Sequence, residues 1–313
     1  MPLPQGFAQR LAIPAIAAPM FLTSGPDLVV ECCRSGVLGT FPALNQRTSE
    51  GFDAWVQEIE ERLAAAETAT PFGVNLIVHK TNPRLQADLE IAVKREVPLI
   101  ITSLGAVKEV VDAVHSYGGL IFHDVIGRRH AEKAAEAGVD GIIAVAAGAG
   151  GHAGTLSPFA LLAEIRQVFD GTLILSGAMN TGRDIAAARM MGADLAYLGS
   201  RFIATRESLV SDAQREMMLD SRAADVVYTA RVSGVNANFM QASLAQNGLL
   251  EDAPGGHPKM NMDSETRAWK TVWSAGQGVG SIHDVPPAAE LCQRLISEYH
   301  AAVREMASDP FAG

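Results

Sequence analysis

The chain has 313 residues, 48% of them hydrophobic, with 29 glycines and 15 prolines, a composition for a large core with many tight connections, and a length that suits one α/β barrel with a smaller addition. Twenty-five basic residues against 35 acidic ones give a net charge of −10 with no basic block, which makes nucleic acid and anionic membrane surfaces poor partners and favours a small molecule. Three cysteines, including the adjacent Cys32 and Cys33, build no disulfide framework, and no apolar run reaches the ~20 residues of a membrane span, so the cytoplasm is the expected compartment.

Residues 11–22 superficially resemble the apolar part of a signal peptide, but Pro14 and Pro19 interrupt them and Arg10 is a thin positive flank. Residues 15–18 read as a short apolar strand, and Pro26 opens a helix over 26–33. A strand at 37–41 and a helix at 54–66 follow, then strand 72–78, helix 84–95, strand 99–104, helix 107–117 and strand 120–125. Helix 129–137 leads into the run 142–147, which carries no charge and no period-two alternation, as expected of a parallel strand covered on both faces. Helix 158–169, strand 173–178, helix 183–191 and strand 195–199 complete the alternation.

Gly36, Gly118, Gly138 and Gly192 each end a helix just before a strand, and residues 137–145 and 191–199 are similar enough to be repeats of one β/α unit. Eight such units predict a closed (β/α)8 TIM barrel, with an open doubly wound sheet as the rival. Past Arg206 the alternation stops; 211–219, 221–227 and 267–272 look helical around a Gly/Pro segment at 251–259, and 288–306 is a long amphipathic helix. The expected division is a barrel over 1–205, a smaller, mainly helical substrate or lid domain over 206–274, and a return segment with a C-terminal helix over 275–313.

Ligands of such barrels sit over the strand C-termini. The residues there are Met20; Asn75; Thr102 and Ser103; His123 and Asp124; and the loop holding Gly148, Gly150, Gly151, His152 and Gly154. Glycines lack the Cβ that would hold a flat ligand off the main chain, and His152 adds one acid/base group. A mobile turn with a solvated histidine is the alternative reading. After strands seven and eight, Ser176, Gly177 and Ala178, then Gly199 and Ser200, offer main-chain N–H groups for a phosphate, or are simply short turns. A phosphorylated tail and a flat head describe flavin mononucleotide (FMN), with Asn75 and Ser103 at the polar edge of the ring and the backbone of Met20 and the glycine loop against its face. A sugar phosphate explains only the tail.

APM near the start, FGVNL, GAGGHAG, the run LSGAMNTGRDIAAARMMGADLAYLGSRFIATRE and WSAGQG together resemble the nitronate monooxygenase family, over roughly residues 15–280. The resemblance implies an FMN-binding barrel with a helical domain closing over it. It places the catalytic histidine at His152, phosphate contacts at Gly177, Ala178, Gly199 and Ser200, flavin contacts at Met20, Asn75 and Ser103, and Gln277 near the cofactor. The implied reaction is oxidation of alkyl nitronates by FMN and dioxygen to a carbonyl compound and nitrite, with His152 orienting the nitro group or removing the α-proton of a neutral nitroalkane.

One departure stands out: some relatives carry Lys or Gln beside the flavin after strand five, where this chain has Asp124 after His123. Either Asp124 points away or His123 supplies the donor. His123 also reads as a buried, satisfied histidine; His79, His115, His130, His257, His283 and His300 read as surface residues. Without HExxH or a Cys/His cluster, no metal site is expected. The nearest rival function is an FMN-dependent NAD(P)H:quinone or enoyl-thioester reductase, and a third is a non-redox phosphate-binding barrel. The physiological substrate and the oligomeric state, a homodimer included, stay open.

Overall fold

The computed structural model describes residues 3, 5–66, 70–105, 107–251 and 269–311. Its strands in chain order are β1 (Ala15–Ala17), β2 (Leu38–Pro42), β3 (Gly73–Ile77), β4 (Leu99–Ser103), β5 (Leu120–Val125), β6 (Gly141–Val145), β7 (Gly151–His152), β8 (Thr172–Ser176) and β9 (Leu195–Leu198). All except β7 form a closed parallel barrel, shut by β1 pairing with β9 through Ile16 opposite Tyr197. The fold is therefore the eight-stranded β/α barrel that the alternation implied.

The missing alternation has a simple cause. Ile16, Leu38, Leu99, Ile101, Phe122, Ile143, Ile174 and Leu195 fill the barrel interior, while Val74, Ile100, Ile121, Ile142 and Leu173 face the outer helices in a second core. Both faces are apolar, so successive residues are too. Gly141 is small for a packing reason: a Cβ there would stand 2.5 Å from Cδ1 of Phe122. The four helix-ending glycines carry φ between +82° and +96°, the left-handed C′ geometry that lets each chain turn directly into its strand.

Barrel helices fall where the apolar spacing put them, within a few residues. The largest shift is at Ser49–Ala64, which starts five residues ahead of the expected 54 because Thr48 caps it, accepting from the N–H of Gly51. The C-terminal helix Ala288–Ala307 lies on Gly182–Met190, so closely that a Cβ on Gly182 would stand 2.2 Å from the carbonyl oxygen of Leu295.

Beyond the barrel, the helix Asp212–Asp220 is as expected, but residues 221–227 are not a helix. A single 3-10 turn, Ala223–Asp225, runs into strand β10 (Val226–Thr229), which pairs antiparallel with β11 (Ala237–Met240). The β-branched Val226, Val227 and Thr229 favour the extended chain, and β11 then adds β7 on its far edge, with Ala237 opposite His152. Residues 269–272 form a turn rather than a helix; residues 267 and 268, His257 and the Gly/Pro segment from 252 onward lie outside the described residues. Among the described residues no helix is long and apolar enough to cross a membrane, and no His/Cys/Asp/Glu cluster could hold a metal ion. Cys32, Cys33 and Cys292 are all free and buried.

Candidate functional site

The C-terminal strand ends surround a cavity of about 1050 Å³. That is at the upper end of the roughly 300–1,000 Å³ usual for one ligand. Met20, Asn75, Ser103, Gly150, Gly151, His152, Ser176, Gly199 and Ser200 line it together. Gly148, Gly177, Ala178 and Gln277 are not lining residues; a Cβ on Gly148 would stand 3.0 Å from Gln277 Oε1 and 3.3 Å from Ala178 Cβ, so these pack against one another beside the cavity.

One side of the cavity is built by neighbouring barrel strands. Asn75 Nδ2 donates to the carbonyl of Ile101 (3.2 Å) and to Ser103 Oγ (2.8 Å), and Ser103 Oγ donates to Asp124 Oδ2 (2.5 Å). Asp124 lines the cavity, so it does not point away. Its Oδ1 is buried with no hydrogen-bond partner among the described residues. Burial pushes its carboxyl up to about 6, against the pull of the Ser103 hydrogen bond and of the His152 charge.

His123 is buried, with Nδ1 2.8 Å from Thr102 Oγ1, and burial brings its ring down to about 4. It is therefore neutral at pH 7, a satisfied core histidine at the cavity edge that cannot stand in for the missing cation. His79 is half-buried and tied to Thr81 Oγ1 rather than lying on the surface. His115, His130, His283 and His300 are exposed. Tyr197, which the sequence reading passed over, lines the cavity beside this group; burial and then the Asp124 charge hold its phenol well above its ordinary range, so it stays protonated.

A second wall carries His152 and is held from far along the chain. Gly151 N–H donates to Ser274 Oγ (2.6 Å), which donates to the carbonyl of Asn238 (2.6 Å), while Asn238 Nδ2 donates to the carbonyl of Ala149 (2.6 Å). Gly276 N–H donates to Ser200 Oγ and Gln277 N–H to the carbonyl of Gly148, both at 2.8 Å. The His152 ring meets Trp269 edge to face at 5.8 Å, and Trp269 leans on Phe239 at 5.2 Å. Trp269, Trp273, Ser274 and Asn238 were not singled out from the sequence, although WSAGQG contains two of them.

This packing corrects the reading of the glycine loop as bare main chain throughout. A Cβ on Gly150 would come within 2.8 Å of Gly276 N, so that glycine serves close backbone contact. At Gly199 the nearest atom to an added Cβ is Met20 Sδ at 3.8 Å, an ordinary contact, so this glycine is not required by packing. The anion cradle is also narrower than the small residues suggested. At the start of Gly182–Met190, the N–H groups of Asn180 and Thr181 donate to Asp184 Oδ2 (2.9 Å each), and that of Gly182 donates to Glu298 Oε2 (2.7 Å). Carboxylates of the chain itself thus occupy that helix start, so of the expected anion positions only the turns at Gly177–Ala178 and Gly199–Ser200 are not filled by them. Both Gly177 (φ +144°) and Ala178 (φ +54°) have positive φ.

Comparison with known proteins places this arrangement. A nitronate monooxygenase of Paraburkholderia phytofirmans is 25% identical, with 94% of each chain covered. A (3aS,4S,5R,7aS)-5-hydroxy-7a-methyl-1-oxo-octahydro-1H-indene-4-carboxyl-CoA dehydrogenase of Rhodococcus jostii is 25% identical over 236 residues, 75% of this chain and 64% of that protein. The match thus spans less than two thirds of that relative's length. Among solved structures, a nitroalkane oxidase from Streptomyces ansochromogenes superposes with a TM-score of 0.82 at 24% identity, covering 96% of this chain and 99% of the other. FabK from Thermotoga maritima superposes with a TM-score of 0.81 at 20% identity, covering 97% and 99%. At these identities the two structures speak for the shared fold. The nitronate monooxygenase family model itself matches residues 8–298, and the chain accordingly belongs to the nitronate monooxygenase family of flavin-type oxidoreductases.

Proposed function

We propose that the chain binds FMN in this cavity and oxidises alkyl nitronates with dioxygen to a carbonyl compound and nitrite. The observation that carries the reading is that His152 and the Asn75–Ser103–Asp124 chain line one cavity over the strand ends of a β/α barrel. The residues present fit the cofactor: Gly199 lines the cavity with no packing reason to be a glycine, and Asp124 Oδ1 is a buried polar atom lacking a hydrogen-bond partner among the described residues. Gly199 and Ser200, which line the cavity, would hold the phosphate, with Gly177 and Ala178 behind them; Asn75 and Ser103 would meet the polar edge of the ring, and Met20, Gly150 and Gly151 its face. Gln277 and Gly148 support that wall, and Ser176 lines the cavity at the end of β8.

Bound FMN would supply an acceptor for the substrate's electrons and pass them to dioxygen. His152 orients the nitronate through its oxygens or, with a neutral nitroalkane, accepts the α-proton at a ring nitrogen. Tyr197 remains a neutral phenol able to donate at the cavity floor. We assign residues 206–274 as the cover of the barrel mouth and 275–313 as the return segment. The cytoplasm is the compartment that the three unpaired cysteines favour.

A second reading, an FMN-dependent NAD(P)H:quinone or enoyl-thioester reductase, draws on the cavity's size and on Asp124, whose charge disfavours an anion beside it. Anaerobic mixing of the holoenzyme with propyl-2-nitronate, NADH and NADPH in turn separates the two. Bleaching of the ~450 nm flavin band by the nitronate alone supports the oxidase reading. Bleaching by a nicotinamide alone overturns it.

A further inference from the structure

The outer half of the cavity has features that flavin binding and nitronate chemistry leave unused. Leu104, Ile126, Leu209 and Tyr228 all line it, yet they are 39%, 44%, 54% and 39% exposed. These four stand on different loops and strands but face the same cavity while staying exposed. Large apolar groups gathered at a cavity mouth point to an apolar ligand.

Backbone conformation supplies a second observation. Four non-glycine residues among those described have positive φ, and two are leucines lining this cavity: Leu22 at +57° and Leu104 at +65°. Leucine is strained in that region, and such strain persists only where the surroundings enforce it. At Leu22 they do. Its N–H donates to Asn45 Oδ1 (2.8 Å), and Asn45 Nδ2 donates to the carbonyls of Met20 (3.1 Å) and Ser24 (2.7 Å), clamping the loop. Leu209 is seated on the same loop: its N–H donates to the carbonyl of Thr23 (2.9 Å), and an added Cβ on Gly25 would stand 3.0 Å from Leu209 Cδ1. A glycine would relieve Leu22 or Leu104, so each leucine presents its side chain to the cavity at a cost in backbone strain.

We propose that Leu22, Leu104, Ile126 and Leu209 form a hydrocarbon vestibule, and that the preferred substrates carry an extended apolar chain or ring on the oxidised carbon. These leucines act as specificity residues for the chain, remote from the proton and electron transfers. The inference rests on the reading of the cavity as the substrate site.

The test uses two probes on the holoenzyme. In the first, kcat/KM is measured for the nitronates of straight-chain nitroalkanes from nitroethane to nitrodecane. Each methylene that enters the vestibule should raise it by up to about fourfold, equivalent to about 0.8 kcal/mol. In the second, dissociation constants for n-alkanols from ethanol to decanol are read from the fluorescence of Trp269 and Trp273, which line the cavity. This probe needs no redox step. If nitronates leave the flavin oxidised while alkanols bind more tightly with length, the proposed reaction fails and the vestibule stands.

Leu104→Gly and Leu209→Ser should each cut the dependence on length to half or less, with Leu104→Gly keeping or raising the melting temperature as the strain is released. Phe159→Ser, at a 73% exposed phenylalanine that does not line the cavity, should leave it unchanged. A dependence below about 1.5-fold per methylene in the unaltered protein overturns the proposal, being far under the value for a buried methylene. So does an unaltered dependence in both leucine variants. A rim that serves a second copy of the chain would instead give a concentration-dependent dimer, lost in Leu209→Ser, with no dependence on alkanol length.

Discussion

The two walls of the cavity are made differently. Asn75, Ser103 and Asp124 sit on adjacent strands and touch because the barrel register brings them together. His152 sits on a two-residue strand whose partners, Asn238, Ser274 and Gly276, lie some 85 to 125 positions onward. The first wall comes with the barrel. The second exists only when the rest of the chain has docked, so changes there report on assembly as well as on chemistry.

The largest expected effect is at the histidine. His152→Asn should lower kcat/KM for a neutral nitroalkane by about 10²–10⁴-fold, the range for a positioned acid/base group, while the protein stays yellow. Unchanged rates with every substrate would remove the ring from the mechanism. Next comes the contact behind it: Gly150→Ala forces a Cβ to 2.8 Å from Gly276 N and should cost about 1–3 kcal/mol in urea unfolding. Unaltered stability would show that the two loops are not held together as described.

The barrel-built wall gives a pH signature. Asp124 rises from 3.8 to about 6 in the folded chain, so the stability it contributes is present below pH 4 and lost as pH climbs to about 6. His123 falls from 6.5 to about 4, so its contribution is present above pH 6.5 and lost as pH falls to about 4. The two slopes oppose each other. Asp124→Asn should therefore expose a stability that rises from pH 4 to 6.5, with a gain of about 1–2 kcal/mol at pH 7. A flat difference between the two proteins across that range would mean that Asp124 keeps an ordinary carboxylate. The smallest effect belongs to Gly199→Ala, which should shift apoprotein stability by less than about 0.5 kcal/mol because the added Cβ meets its neighbours only at ordinary contact distance. Its mark should be weaker FMN retention on dialysis; undiminished retention would remove Gly199 from the cradle.

How much could be read in advance follows the same division. Barrel strands were legible because each is a mostly apolar run, four of them introduced by a positive-φ glycine that ends the preceding helix. His152 and Ser103 were legible as strand-end residues, and so was Asp124 as a departure. That Asp124 would join Ser103 and Asn75 requires the register, in which Ile77 faces Ser103 and Thr102 faces His123. β10 could have been found from its Val-Val-Tyr-Thr run. β7 could not, since two residues have no periodicity and their partner is remote. The purpose of Gly150 was hidden for the same reason: loose and close-packed glycines read alike until the opposing Gly276 is in place.

The remote support of His152 also bears on how the protein is made. A ribosome that has released the chain only as far as β9 has delivered all eight barrel strands, but neither β11 nor Ser274. At that moment all the barrel strands exist while the loop carrying the imidazole lacks the strand and the serine that brace it. If His152 carries the chemistry as proposed, activity awaits the last quarter of translation.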